Sequence, residues 1–213
     1  MDHLTIAQAL AQAECLTPLS DSPQLDLQLL LEKVLDKPRS YLYTWPERQL
    51  SEQQQQQFER YLQRRLAGEP IAHILGCQDF WTLSLEVDGS TLIPRPDTER
   101  LVELALERLP DGPWRVADLG TGTGAIALAL ASERPHWSLF AVDRVEAAAQ
   151  LSERNRQRLQ LDNVTVLQGS WCEPLKSCDV DALDMIVSNP PYINPQDPHL
   201  AQGDVRFEPR SAL

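Results

Sequence analysis

The sequence predicts an α/β protein built on a doubly wound parallel sheet, preceded by a small helical-bundle domain and a β-hairpin linker. Three observations carry this. Residues 1–76 space their apolar positions like helices. Residues 77–96 switch to an apolar–polar alternation punctuated by Asp88-Gly89, Pro94 and Pro96. After Trp114, strand-length apolar runs alternate with longer amphipathic stretches, the pattern of parallel strands joined by crossover helices.

The expected domains follow: helical over 1–76, hairpin linker over 77–96, and sheet domain over 97–213. In the first, 4–15 reads as a helix with Ile6, Ala9, Leu10 and Ala13 on one stripe. Asp21 or Ser22 caps a second helix, with Pro23 in its first turn and Leu25, Leu29, Leu30 and Val34 facing inward. Pro38 and Pro46 break the chain before a third helix, which is capped by Ser51, runs to Gly68 and places Phe58, Tyr61, Leu62 and Leu66 at helical spacing. The glutamine run 53–57 falls at its exposed start, since glutamine is a good helix former.

In the linker, 80–87 alternates like a strand and Asp88-Gly89 is a hairpin signal. The prolines of Ile93-Pro94-Arg95-Pro96-Asp97-Thr98-Glu99 force an extended chain, and Asp97 or Thr98 caps a helix over 99–109. Strands are expected at 115–119, 138–142, 164–167 and 183–187, with helices at 125–134 and 145–159.

Composition narrows the function classes. At 213 residues and 42% hydrophobic, the chain can bury a sizeable core. No run approaches the roughly 20 apolar residues of a membrane span. The first residues lack a cationic start followed by an apolar block, so neither a membrane nor a secretory signal is expected. Cys15, Cys77, Cys172 and Cys178 show no C-x-x-C spacing. A disulfide framework or zinc site is not expected, and reduced thiols in a cytoplasmic protein are. Net charge is -12, with 8 Lys/Arg against 13 Asp/Glu in 1–96 and 11 against 18 in 97–213. Neither half is basic, which argues against direct nucleic-acid binding, where phosphate contacts supply most of the affinity. The arginine clusters at 60, 64 and 65 and at 154, 156 and 158 read as solvated helix faces.

The first sheet strand runs into Asp118-Leu119-Gly120-Thr121-Gly122-Thr123-Gly124-Ala125. Such glycines let the backbone turn tightly and approach a ligand at a helix N-terminus. Gly120, Gly122 and Ala125 even satisfy the dinucleotide form G-x-G-x-x-A, and Asp143, 23 residues beyond Gly120, can accept from both ribose hydroxyls of a nucleoside ligand. The carboxylate of Asp118 beside the loop repels a pyrophosphate but suits an ammonium and a sulfonium. S-adenosyl-L-methionine is therefore favoured over NAD, with Asp118, Gly120, Thr121, Gly122, Thr123, Gly124 and Asp143 as its expected contacts.

The fourth strand ends in Ser188-Asn189-Pro190-Pro191-Tyr192. The carboxyl edge of a parallel sheet is where ligands bind. A planar NH₂ group has its lone pair delocalised and is a poor nucleophile. If the Asn189 Oδ1 and the Pro190 carbonyl each accept one N–H, that nitrogen is held in place for in-line displacement, so catalysis is mostly positioning. Pro191 stiffens the turn and Tyr192 packs on the planar group. Asn189, Pro190 and Tyr192 are the expected catalytic residues, and with Pro191 they form the expected substrate site. Trp171, after the third strand, can line the adenine edge of the pocket or lie in the core. His3, His73, His136 and His199 stand apart with no partner spacing, and there is no G-x-S-x-G, H-E-x-x-H or P-loop. No metal is expected.

Together these residues resemble the HemK-type glutamine N5-methyltransferases of peptide chain release factors. The resemblance is carried by Ile93 to Glu99, Asp118 to Leu128, Ala141-Val142-Asp143, Asn189-Pro190-Pro191-Tyr192, and the tail from Asp197-Pro198-His199-Leu200 through Gly203-Asp204-Val205-Arg206-Phe207-Glu208-Pro209. It spans nearly the whole chain. The glycine loop is common to many methyltransferases, and the Asn-Pro-Pro-Tyr turn is shared with amino-group DNA methyltransferases. The Pro-Arg-Pro-Asp-Thr-Glu segment and the tail are more specific. The resemblance implies a Rossmann-like methyltransferase sheet with S-adenosyl-L-methionine held by Gly120 to Gly124, Asp143, Trp171 and Asn189. It implies a release-factor Gly-Gly-Gln glutamine held by Asn189 to Tyr192, with the helical domain helping to dock the release factor. A seven-stranded sheet needs three strands beyond the fourth, so a chain stopping at Leu213 is expected to be truncated and to leave strand four as an edge. An adenine-N6 methyltransferase shares the turn but is opposed by the charge. A non-catalytic release-factor-binding fragment is the other alternative.

Overall fold

The computed structural model describes residues 3–178, 180, 182–194, 197–201 and 203–213; the side chains of His199 and Ala201 lie outside the described residues. The chain divides into two compact units, Met1–Leu75 with Ala201–Phe207, and Gly76–Leu200 with Glu208–Leu213. The short segment Ala201–Phe207 thus groups with the helical unit, although the sequence reading places it in the sheet domain.

The helical unit opens with α1 (Ile6–Leu10) behind a capping box, in which Thr5 Oγ1 accepts from the Gln8 N–H at 3.2 Å and Gln8 Oε1 from the Thr5 N–H at 2.9 Å. The expected helix over 4–15 is not one piece, because α1 passes into a 3-10 helix at Ala11–Leu16. In α2 (Pro23–Leu35) the buried stripe is Leu27, Leu30, Leu31 and Leu35; Leu25 faces outward, and Ser22 makes no side-chain cap bond. Leucines at 25, 27, 29, 30, 31 and 35 leave the apolar phase open to sequence reading. The phase adopted also buries Asp26, which pairs with Arg65 at 2.8 Å. A helix α3 (Arg39–Thr44) forms where a break was expected. Ser51 caps α4 (Glu52–Leu66) as expected, through a capping box with Gln54, and α5 (Ile71–Leu75) closes the unit. Ile6, Leu16, Leu27, Leu30, Leu31, Leu42, Leu50 and Phe58 form its core. Arg65 also reaches Asp204 at 2.9 Å, and Arg206 donates to the Ala67 carbonyl at 3.2 Å.

The second unit begins with a hairpin of β1 (Cys77–Phe80) and β2 (Leu83–Glu86), in register Phe80 to Leu83. Its turn is Trp81-Thr82, so the strand expected over 80–87 is split, and Asp88-Gly89 is not the hairpin turn. Trp81 takes a φ of 57°, and its N–H donates to Glu99 Oε1 at 2.8 Å and its Nε1–H to Glu133 Oε1 at 2.7 Å. Those partners are distant in sequence, which is why no local pattern announces the turn. Asp88 instead folds its carboxylate onto the Ser90 N–H at 2.9 Å, a side-chain turn, and pairs with Arg154 at 3.0 Å.

After α6 (Glu99–Arg108) come β3 (Arg115–Leu119), α7 (Ala125–Glu133), β4 (Ser138–Asp143), α8 (Glu146–Leu159), β5 (Val164–Gln168) and β6 (Met185–Ser188). The four strands are parallel, in the order β5-β4-β3-β6. Residues 125–131 of α7 are all buried, so this helix lies inside the core with Val102, Val116, Trp137 and Leu139. β6 starts at Met185, not 183, because Asp184 ends the approach with its carboxylate on the Arg115 N–H at 2.7 Å. Among the described strands β6 pairs with β3 alone, and Ile186 on it is 52% exposed.

Candidate active site

The chain winds outward from β3 to β4 and β5 on one side, then crosses to β6 on the other. Such a reversal opens a crevice beyond the carboxyl ends of the central strands. Here it is a cavity of about 480 Å³, lined by the glycine loop, the end of β4, residues 169–171, the turn after β6, and the segments 90–95 and 211–212.

The glycine loop is pinned at nearly every residue. Gly120, Gly122 and Gly124 take φ of 78°, 56° and 86°, the left-handed region open to glycine. The Gly120 and Thr121 N–H groups both donate to the Val142 carbonyl, at 2.9 and 3.0 Å, and the Gly124 N–H donates to the Thr121 carbonyl at 2.9 Å. Asp143, ending β4, accepts from the Gly122 N–H on one oxygen and the Val145 N–H on the other, both at 2.9 Å. A carboxylate has about four lone-pair sites, so Asp143 keeps acceptor capacity at the cavity wall.

Asp118 departs from the sequence expectation. It is fully buried and does not line the cavity. Its Oδ2 accepts from the Thr121 hydroxyl at 2.6 Å and the Ala127 N–H at 3.2 Å, while Oδ1 has no partner among the described residues. Burial, offset in part by these two bonds and reinforced by the nearby Asp143 charge, pushes its carboxyl up to about 6. Asp118 therefore anchors the loop from beneath. Gly124 is likewise off the cavity, at the head of α7, where a Cβ would lie 2.6 Å from Ser152 Oγ.

Gly120, Thr121, Gly122, Thr123, Asp143, Trp171, Asn189, Pro190 and Pro191 line the cavity, and Tyr192 does not, being 83% exposed. Trp171 is 64% exposed with a φ of 50°, so it is a rim residue and not a core one. Sequence reasoning missed Thr98 as a site residue. The Thr98 side chain makes no cap bond to α6, and its Oγ1 accepts from Asn189 Nδ2 at 3.4 Å. That contact turns the donor end of the Asn189 amide toward Thr98. Arg95 belongs to the Pro94-Arg95-Pro96 segment. It lines the cavity and pairs at 2.7 Å with Glu208, whose side chain is fully buried, which fixes the segment that brings Ser211 and Ala212 to the wall.

The sheet, the glycine loop and the turn after β6 are matched by a family model described as the methyltransferase small domain, over residues 99–204. Fold and site thus define a methyltransferase with a Rossmann-like sheet. A second model, the PrmC N-terminal domain, matches residues 6–76. Curated relatives named release factor glutamine methyltransferase align over most of the chain. One from Pseudomonas aeruginosa is 58% identical over 196 residues, covering 92% of this chain and 70% of its own. One from Shewanella oneidensis is 53% identical over all 213 residues and 73% of its own length. Another, from Escherichia coli, is 55% identical over 91% of this chain and 69% of its own. The chain belongs to the release factor glutamine methyltransferase family. No helix among the described residues is long and apolar enough to cross a membrane, and no group of His, Cys, Asp and Glu among them could hold a metal ion.

Proposed function

We propose that this protein transfers a methyl group from S-adenosyl-L-methionine to the side-chain amide nitrogen of the glutamine in the Gly-Gly-Gln loop of peptide chain release factors. One juxtaposition carries the reading: the glycine loop and Asp143 on one side of the cavity, and the Asn189-Pro190-Pro191 turn on the other. The lining suits this cofactor. Asp143 retains acceptor sites for ribose hydroxyls, and the Asn189 carbonyl oxygen and Pro190 supply further acceptors for N–H groups. Gly120 to Thr123 with Asp143 would hold the nucleoside part, and Trp171 stands at the rim beside it. When bound, the cofactor supplies an electrophilic methyl group.

The protein's own part is to bind, orient and exclude water. Asn189 Oδ1 and the Pro190 carbonyl accept the two amide hydrogens, so rotation of the substrate NH₂ is frozen and its nitrogen faces the cavity. Thr98 holds the Asn189 amide in the orientation that presents its oxygen. Fixing a weak nucleophile in this way supplies rate without a strong base, and the extra proton leaves after transfer. An acidic chain of net charge -12 suits a protein substrate better than a polynucleotide and weighs against adenine methylation. Helices 1–75 are proposed to help dock the release factor, and a cytoplasmic setting fits the four unpaired cysteines. The test is mass spectrometry of a release factor incubated with the protein and S-adenosyl-L-methionine. One methyl group on the Gly-Gly-Gln glutamine is expected; methyl transfer to an adenine-containing polynucleotide and none to the release factor refutes the reading.

A further inference from the structure

Asn155 lies on α8, away from the cavity wall, yet it is fully buried and its amide is fully used. Oδ1 accepts from the Glu86 N–H at 2.7 Å and from Arg158 Nη2 at 3.4 Å; Nδ2 donates to the Glu86 carbonyl and to the Thr123 carbonyl, both at 3.0 Å. The side chain therefore pairs with β2 as a further strand residue would, and with its remaining N–H grips the glycine loop. The amide cannot be reversed, because the Glu86 N–H needs an oxygen and the two carbonyls need hydrogens.

We propose that Asn155 is a positioning residue for the cofactor cavity, tying the Thr123 turn of the glycine loop to the strand that leads into the opposite wall. β2 continues through Val87 and Asp88 into Ser90, Thr91, Leu92, Pro94 and Arg95, which line the cavity. The two walls also meet directly, since a Cβ at Gly122 would lie 3.7 Å from Thr91 Cβ. Holding the hairpin alone does not require this amide. Arg154 already pairs with Glu86 at 2.9 Å and with Asp88 at 3.0 Å, and Arg158 donates to the Ser84 carbonyl. What Asn155 adds is the bond to Thr123. The remaining loop tethers come from the loop's own neighbourhood: Asp118 binds Thr121 and Ala127, and Asp143 binds Gly122. Asn155 is the tether that reaches from the loop to the hairpin. Aspartate lacks the two donors, alanine all four bonds, and both leave the Glu86 and Thr123 carbonyls without the Asn155 donor.

The inference rests on the cavity's taking S-adenosyl-L-methionine, and the experiment separates the two. Wild type, Asn155→Ala, Asn155→Asp and Arg154→Ala are titrated calorimetrically with S-adenosyl-L-methionine. Hydrogen exchange at the 121–124 amides is followed in the ligand-free proteins. KM for cofactor and for release factor is measured well below the melting temperature. Both Asn155 variants should bind the cofactor at least about tenfold more weakly, with faster exchange at Gly122 to Gly124. The release-factor KM and the kcat at saturating cofactor should stay near wild type, and Arg154→Ala should leave cofactor affinity unchanged. Should the alanine variant fail to fold, Asn155→Ser, which keeps one donor in the buried site, is read the same way. Wild-type affinity and wild-type loop exchange in a folded Asn155 variant overturn the proposal. If wild type itself does not bind S-adenosyl-L-methionine, the cofactor reading falls, and loop exchange alone decides the role of Asn155.

Discussion

Replacing Asp118 by asparagine tests how the glycine loop is held. The carboxyl is wholly buried and pushed up from 3.8 to about 6, chiefly by loss of solvent. A group whose folded pKa exceeds its unfolded value binds its proton more tightly in the native state. Its stabilising contribution is complete below about pH 4, is lost as pH rises toward 6, and stays lost above that. A rise of about two units corresponds to about 3 kcal/mol. Asparagine can place its oxygen where Oδ2 accepts from Thr121 and Ala127. Its NH₂ then takes the Oδ1 site, which has no partner, at a cost of about 1–3 kcal/mol. At pH 7 the variant should therefore be about as stable as wild type. At pH 4 it should be less stable by an additional amount of about 2–2.5 kcal/mol. Denaturant unfolding of both proteins at several pH values gives the difference curve, in which the shared carboxylates Glu69, Asp88 and Glu153, all shifted the other way, cancel. Carbon NMR of the Asp118 carboxyl should titrate near 6. Parallel stability curves, or a carboxyl midpoint near 4, refute the account.

Four further outcomes are expected. Arg65→Ala leaves Asp26 buried without its partner and should destabilise the helical unit by about 3–5 kcal/mol, measured by urea unfolding, with Asp26→Asn in the same background recovering part of the loss. Gly124→Ala sets a Cβ 2.6 Å from Ser152 Oγ and 2.9 Å from Leu128 Cδ1 at a φ of 86°; a loss of about 2–4 kcal/mol is expected in the second unit, seen by calorimetry. Asn189→Ala should lower the methylation rate by roughly a hundredfold while leaving the fold intact, checked by methyl incorporation into a release factor beside a circular dichroism spectrum. Ile186→Lys puts a charge on the exposed residue of the β6 edge and should reduce self-association in light scattering; unchanged scattering would remove the edge as the cause.

The sheet and the glycine loop were legible because local physics dictates them. Three positive-φ glycines between an apolar strand and an apolar helix have few structural solutions, and Asp143 is placed by the end of β4. What escaped the sequence depends on partners far along the chain. The hairpin turn at Trp81 is set by Glu99 and Glu133. Asp88-Gly89, a better turn signal, is drawn off by Ser90 and Arg154. The face of α2 is chosen by Asp26 with Arg65, 39 residues apart. Thr98 carries a cap-type residue at a helix start, and only its distance to Asn189, 91 residues away, reveals the other use. Asp118 was read by its charge as a ligand contact, since a pattern does not say whether a carboxylate beside a loop lies above it or below.

The place of Asp118 beneath the loop bears on the proposed ligand. A glycine loop before a helix normally offers its N–H groups to phosphate. Here the N–H groups of Gly120 and Thr121 are committed to Val142, that of Gly124 to Thr121, that of Gly122 to Asp143, and that of Ala127 to Asp118. Two of those acceptors are carboxylates. An approaching pyrophosphate would have to displace Asp143 from the Gly122 N–H in a field already negative from Asp118, which is mostly ionised above pH 6. A ligand carrying hydroxyls and positive charge meets the opposite situation: free acceptor sites on Asp143 and a buried negative charge beneath the loop that costs it nothing to approach. The loop's shape alone is common to both kinds of ligand; the two amides given to acids, Gly122 and Ala127, support the cationic one proposed above.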